Sequence, residues 1–443
     1  MRFPTGFLFG AATSAYQVEG AADEDGRGPS IWDTFSAKPG AVVHGDTGAI
    51  ACDHYHRVEA DLDLLAGLGL TGYRFSIAWP RIIPDGTGAV NQKGLDFYRR
   101  LADGLLARGV RPMGTLYHWD LPQPLQEAGG WANRDTVAHF CDYAQVVLEA
   151  LGDMVPQWAT INEPFCGAMI GHLQGRHAPG QVDLAAALAS AHHLLLAHGQ
   201  AVGLARRLAP QAQVGIAHLL SDISPASESA ADADAARRLD GYENRWFLDP
   251  VLRGSYPADM LDWYGRQVPL GFIRDGDLPV IAAAADFMGV NYYETKIVTA
   301  DPGEPYHQAR VLPQAGRLTA GGLDVRPAGF GRILRRVRDY APLPLYVTEN
   351  GAAFHDYVDP EGGVDDAERV SYLADHFAET LAAIGDGVDV RGYFVWSLLD
   401  NFEWADGYSR RFGLVFVDFG TQARIPKASA RWYTQLIAAQ QDA

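Results

Sequence analysis

Two apolar runs of the sequence each end in a glutamate. Residues 158–165 read WATINEPF, with Asn162 and Glu163 ahead of Pro164, and residues 345–351 read LYVTENG, with Glu349 near the end. A carboxylate at the end of a buried run costs free energy unless it is paired or put to use. Two carboxylates on opposite sides of a site can share the work of acid, base and nucleophile, as glycoside cleavage requires. Other runs end in a similar way. Tyr16, Gln17 and Glu19 follow the first, Arg74 lies in the second, and Tyr117-His118-Trp119-Asp120 close the third. Asn291-Tyr292-Tyr293 close the sixth, and Trp396 in the eighth is followed by Asp400, Asn401, Glu403 and Trp404. Any one of these could cap an element or satisfy a core hydrogen bond. Their recurrence at one strand end after another points to a site. Amides, His and carboxylates hydrogen-bond hydroxyl groups, while Trp covers the C–H face of a sugar ring. The sequence has no phosphate-cradling Gly loop, Ser-His-Asp set or zinc motif. The residues alone therefore favour a hydrolase of sugars.

The elements that must position these groups follow from periodicity. Strand-like runs occur at 7–13, 72–79, 111–118, 157–163, 213–221, 286–293, 345–349 and 391–399. Between them, 58–68, 94–107, 134–151, 183–208 and 369–384 carry apolar residues at helical spacing. Continuous apolar strands alternating with helices predict a parallel sheet, and eight such units predict a closed (β/α)8 TIM barrel. One catalytic domain over residues 1–443, with long loops at its C-terminal face, is expected. The Ala/Asp/Ser-rich stretch 226–236 reads as a loop or a helix start, and 295–325 as an extended loop shaping the site.

Composition narrows the function. With 48% hydrophobic and 20% charged residues the chain is globular, and a net charge of −18 disfavours a nucleic-acid or anionic-membrane partner. No apolar run is long enough for a membrane span. Pro4 and Gly6 interrupt the N-terminal apolar run, which reads as a first strand rather than a signal peptide. Three cysteines, Cys52, Cys141 and Cys166, make no disulfide framework and fit the cytoplasm. Cys52, His54 and His56 lack a second ligand pair, and His192, His193 and His198 lie mid-helix, so neither a metal nor a cofactor is expected.

The segments FLFGAATSAYQVEGA, YRFSIAWPRI, TLYHWDLPQ, WATINEP, NYY, YVTENG and WSLLDNFEWADGYSRRFGLVFVDF together resemble glycoside hydrolase family one, the beta-glucosidase family, from Phe7 to about Tyr433. The resemblance implies a retaining beta-glycosidase with Glu163 as general acid/base and Glu349 as nucleophile. It implies that Gln17, His118, Trp119, Asn162, Glu403 and Trp404 grip the terminal sugar and that Trp396 stacks under it. Arg74, Asn291 and Tyr293 would orient and hold the nucleophile, and Trp396-Ser397 would be a cis peptide. Small beta-glycosides or short oligosaccharides are the expected partners, and homo-oligomerisation stays open.

One departure bears on specificity. Where the family commonly carries Trp at the mouth, the matching segment here is Gly321-Gly322-Leu323-Asp324-Val325. Leu323 there predicts weaker stacking on a second sugar and tolerance of non-sugar leaving groups. Phe165, Cys166, Leu173 and His177 are further candidate entrance residues. An anion at Glu403 would repel a 6-phosphosugar. Glucose, galactose and fucose stay open as the terminal sugar, and a galactosidase, a fucosidase or a transglycosylase remains an alternative. A non-catalytic sugar-binding protein is a remote one, because both glutamates are present. A geometric demand also follows. Neighbouring strand residues face opposite ways, yet Asn162 and Glu163 must both reach the pocket. A bulge or twist is predicted there, with Pro164 ending the sheet pairing.

Overall fold

The computed structural model describes residues 1–441. Its apolar runs form strands β1 (Leu8–Ala12), β2 (Gly72–Ser76), β3 (Arg111–Tyr117), β4 (Gln157–Asn162), β5 (Gln213–Leu219), β6 (Phe287–Tyr292), β7 (Leu345–Asn350) and β8 (Val390–Trp396). All pair in parallel, each with its neighbours in chain order, and β1 pairs with both β2 and β8 to close the barrel. Every residue of β1, β2, β4, β6 and β7 is buried. One face of each strand fills the barrel and the other meets the helices, so the strands read as apolar runs and not as alternations.

A helix follows each strand: α1 (His54–Gly67), α2 (Gln92–Ala107), α3 (Asp135–Leu151), α4 (Leu184–Leu208), α5 (Ala230–Asp240), α6 (Pro327–Tyr340), α7 (Ala367–Gly385) and α8 (Ala428–Gln441). The (β/α)8 barrel expected from the pattern is thus the observed fold. In α2 the buried positions Leu95, Tyr98, Leu101, Ala102 and Leu105 make one helical stripe. Asp183 caps α4 by accepting from the Ala186 N–H at 3.0 Å. The barrel interior is packed by Leu8, Met113, Phe287, Tyr346 and Phe394, with Trp396 at its upper end. Gly10 is required beside this filling, since a Cβ there would lie 2.5 Å from the Phe394 ring.

Several expectations are corrected. Helices α6 and α8 had not been anticipated, although Phe330, Ile333, Leu334 and Val337 form a helical stripe in α6. Gly329 and Gly331 and a run of arginines mask it in the sequence. Residues 295–325 are not one structureless loop. Thr295–Ala300 and Ala309–Val311 are strands that form a small sheet with Asp222–Pro225. β-Branched Thr295, Ile297, Val298 and Thr299 favour that pairing. Within 226–236, α5 begins at Ala230, after Ser229 caps it by accepting from the Asp232 N–H. Among the described residues, no helix is long and apolar enough to cross a membrane. The three residues of the Cys52-His54-His56 motif diverge. Cys52 donates to the Asp400 carbonyl, His54 pairs with Asp61, and His56 lies between Asp53 and Glu24.

Candidate active site

The polar strand ends meet at the C-terminal mouth in a cavity of about 270 Å³. His118, Trp119, Glu163, Tyr293, Glu349, Trp396, Glu403 and Trp404 line it, as do His177 and Leu323 toward the entrance. Gln17, Arg74, Asn162 and Asn291 are fully buried and hydrogen-bonded to one another or to lining residues. Phe165, Leu173 and Cys166 do not line the cavity, which corrects their placement at the entrance. Phe165 packs edge-on against Tyr242 and Phe247, Leu173 is buried, and Cys166 lies behind Glu163. The chain turns helical at Pro164 and carries all three away from the opening.

The end of β4 solves the problem of two adjacent residues sharing one pocket. Its register against β5 shifts between Ala159 and Asn162. Glu163 then adopts φ +45°, while its N–H still donates to the Ala217 carbonyl at 2.8 Å. The pairing thus runs one residue past the strand before Pro164 stops it. Trp119 (φ +78°) and Trp404 (φ +50°) are also left-handed. Such a backbone costs about 1–3 kcal/mol per residue and persists where surrounding contacts hold it. The Trp119 indole N–H supplies one such contact, donating to the Asn162 carbonyl at 2.9 Å.

Arg74 and Asn291 organise the two carboxylates. Arg74 donates to Oε1 of Glu349 at 2.6 Å and to Oδ1 of Asn162 at 2.6 Å. The Tyr293 hydroxyl donates to Oε2 of Glu349 at 2.7 Å. Thr348 donates to Oδ1 of Asn291 at 2.6 Å, which fixes the amide so that its Nδ2 donates to Oε1 of Glu163 at 2.7 Å and to Asn162 at 3.1 Å. Burial raises both glutamates, but unequally. For Glu349, burial is opposed by Arg74, then by Tyr293 and Asn291. For Glu163, burial is reinforced by the charge of Glu349 and pushes the carboxyl up to about 8. The first proton to leave the pair therefore comes from Glu349, and Glu163 holds the second.

Around this pair lie groups suited to hydroxyls. Asn162 donates through Nδ2 to Nε2 of His118 at 3.1 Å, which assigns the imidazole proton to Nδ1. Burial and Arg74 hold His118 well below the usual histidine range, so the ring is neutral. Its Nδ1 is buried without a protein partner. Gln17 donates to the Phe402 carbonyl at 2.8 Å and to Glu403 at 3.4 Å. Trp404 packs against Trp32 and Trp119, with ring centroids 4.5 and 4.6 Å apart. Burial, then Asp406, Glu349 and Glu163, push Glu403 up to about 8. The Trp396-Ser397 bond is cis.

Sequence reasoning missed part of the entrance. Thr319, Gly321, Asp406, Arg410 and Phe412 also line the cavity. The 319–323 segment is a hairpin tip held by Thr319 N–H to the Leu323 carbonyl (2.9 Å) and Ala320 N–H to the Ala353 carbonyl (2.8 Å), with Arg410 bonded to the Ala320 carbonyl. Only the run of tip residues TAGG could have signalled a turn there.

Behind the 397–404 segment sits a buried charge network. Lys427 bridges Asp356 (2.6 Å) and Asp400 (2.7 Å), Arg411 binds Asp400 (2.8 Å), and Arg369 binds Asp356 (2.8 Å) and Asp366. Asp400 thereby anchors the segment that carries Glu403 and Trp404. Lys427→Met is expected to lower stability by about 1–3 kcal/mol, because Asp356 and Asp400 lose a shared buried cation and keep only Arg369 and Arg411. Denaturant unfolding checks this, and an unchanged midpoint would contradict it.

The sequence matches the model of glycosyl hydrolase family 1 over residues 1–442. The chain belongs to glycosyl hydrolase family 1. It is similar to beta-glucosidase A of Acetivibrio thermocellus, at 47% identity over 98% of each chain. It is also similar to a bifunctional beta-D-glucosidase/beta-D-fucosidase of Bifidobacterium breve, at 45% identity over 99% of this chain and 98% of that one. Among solved structures, a family 1 beta-glucosidase from Thermotoga maritima superposes with a TM-score of 0.96 at 45% identity, covering 99% of both chains. As a member of family 1 the protein is a glycoside hydrolase, and its closed barrel agrees with that membership.

Proposed function

We propose that this family 1 enzyme is a retaining beta-glucosidase, with Glu349 as nucleophile and Glu163 as acid/base. The observation that carries the reading is the unequal environment of two buried carboxylates at the ends of β4 and β7: Glu349 accepts from Arg74 and Tyr293, which oppose the effect of burial, whereas burial and the charge of Glu349 push Glu163 up to about 8. Glu349 attacks the anomeric carbon while Glu163 gives its proton to the departing oxygen. The resulting ester removes the charge of Glu349, which is one cause of the raised Glu163 pKa. Glu163 then becomes the stronger base for a water that cleaves the ester, and the sugar leaves with retained configuration. Asn162 has one Nδ2 hydrogen beyond that used by His118, placed to bind a ring hydroxyl.

Glucosides are favoured because the beta-glucosidase names of near full-length relatives accompany 47% identity. A fucosidase side activity is supported by the bifunctional relative. Three unpaired cysteines support a cytoplasmic enzyme acting on small glycosides. The test compares rates on nitrophenyl beta-glucoside, galactoside, fucoside and 6-phosphoglucoside, and follows the released sugar by NMR. The glucoside is expected to be fastest, with the beta-anomer released first. Release of the alpha-anomer would overturn the retaining mechanism.

Leu323 lines the entrance where an aromatic platform is common in the family. Leu323→Trp is expected to lower KM for cellobiose about three- to tenfold, while methyl beta-glucoside stays within about twofold, because one added stacking contact is worth roughly 1 kcal/mol. Equal changes on both substrates would rule out a role for this position in leaving-group binding.

A further inference from the structure

Each oxygen of the Glu163 carboxyl has its own protein donor. Asn291 Nδ2 lies 2.7 Å from Oε1, and the Sγ of Cys166 lies 3.1 Å from Oε2. Cys166 is buried, and its backbone N–H also donates to the Glu163 carbonyl at 2.9 Å, so the turn that starts at Pro164 locks the thiol under the carboxyl. Three acids face this thiol: Glu163, Glu349 and Glu243, the last bound to Lys296 at 2.7 Å. Burial and these charges push the thiol well above its usual range, so it remains S–H and can only donate toward a carboxylate.

We propose that Cys166 is a positioning residue for the acid/base: its S–H holds Oε2 of Glu163 while Asn291 holds Oε1, keeping the carboxyl in one orientation through both half-reactions. The inference rests on the assignment of Glu163 as acid/base. The choice of a thiol has a physical reason. Glu163 must be protonated when the glycosidic oxygen leaves and ionised when water attacks. A strong donor on Oε2 favours the ionised form throughout, and no donor favours the neutral form. The S–H group is a weak donor and lies between these limits. The other charged or titratable groups facing Glu163 are Glu349 from β7, Arg74 from β2, Tyr293 after β6 and Glu403 after β8. Substitution at Cys166 leaves all of these in place, so a shift can be assigned to the thiol.

The test is the pH dependence of kcat/KM in Cys166→Ala and Cys166→Ser. The basic limb is expected to move up by about half to one pH unit in the Ala variant and down by about the same in the Ser variant, in proportion to donor strength. A packing role predicts no shift, or shifts of the same sign, and either result overturns the proposal. A second readout uses the unaltered protein. Its Cys166 S–H stretching band, identified by its loss in Cys166→Ala, is expected to move to lower frequency when a 2-deoxy-2-fluoro-beta-glucoside traps the ester on Glu349, because the acceptor becomes an anion. If Cys166→Ala does not fold, Cys52→Ala and Cys141→Ala identify the band by elimination. An unmoved band overturns the proposal. Azide rescue of Glu163→Ala, with beta-glucosyl azide as product, tests the underlying assignment separately. Failure of rescue removes both claims, whereas rescue with unmoved pH limbs removes only the role of Cys166.

Discussion

Glu349→Gln is expected to lower turnover on every beta-glycoside by a factor on the order of 10⁴ to 10⁶, the range for loss of a catalytic nucleophile. The substitution keeps the side-chain shape but removes the electron pair that forms the ester. It also breaks the match with its neighbours. Both oxygens of Glu349 accept hydrogen bonds, from Arg74 at 2.6 Å and from Tyr293 at 2.7 Å, so an amide keeps the Arg74 bond only with its oxygen toward Arg74, which turns its N–H on the Tyr293 hydroxyl and makes that hydroxyl accept instead of donate. Arg74 retains Asn162 as an acceptor, and the pocket walls are untouched, so sugar binding should persist while chemistry stops. Mass spectrometry after treatment with a 2-deoxy-2-fluoro-beta-glucoside should find no adduct. Turnover within about tenfold of the unaltered enzyme would show that Glu349 is not the nucleophile.

Glu163→Gln should give a second large effect, one that depends on the leaving group. Alkyl glucosides and cellobiose need a proton on the departing oxygen, and their rates should fall by about 10² to 10⁴, the usual worth of general acid catalysis. Dinitrophenyl glucoside leaves unaided, so its first step should change little, and the intermediate should accumulate because no base activates water. The pH dependence follows from the direction of each shift. In the proposed mechanism Glu163 acts in its protonated form, with its pKa pushed up to about 8, so kcat/KM should hold through neutral pH and fall as pH rises through about 8. Glu349 acts as the anion and is also raised, so activity falls again on the acid side. Removing Glu163 should erase the basic limb and keep the acidic one. A basic limb that persists in Glu163→Gln would assign it to another group, with Glu403, also at about 8, the first to examine.

The entrance shows where inference from residue order stops working. Phe165 and Leu173 lie close to Glu163 in sequence and seem natural neighbours of the pocket, but the helical turn at Pro164 buries them against Tyr242 and Phe247 and inside the core. Arg410 and Asp406 reach the mouth instead, from a segment more than two hundred residues away in sequence.

The sequence by itself determined the barrel and the placement of Glu163 and Glu349 at two of its strand ends. The reason is local: strand-like runs repeat eight times with helical stretches between most of them, and a closed parallel sheet sends every strand's C-terminal end to one mouth. A carboxylate, amide or Trp at such an end can therefore be placed without knowing its neighbours. Only the tertiary structure decided the contacts that make their surroundings unequal. The contacts that split the two carboxylates join residues distant in sequence, with Arg74 and Glu349 separated by 275 positions and Glu163 and Asn291 by 128. The irregularity predicted at Asn162-Glu163 takes the form of a left-handed turn held by β5 and by Trp119, a form that WATINEPF alone does not specify. Cys166 reads as an entrance residue along the chain, and the fold instead sets its thiol against the Glu163 carboxyl. Burial, the source of the raised pKa values, is a property of the closed barrel rather than of any segment that builds it.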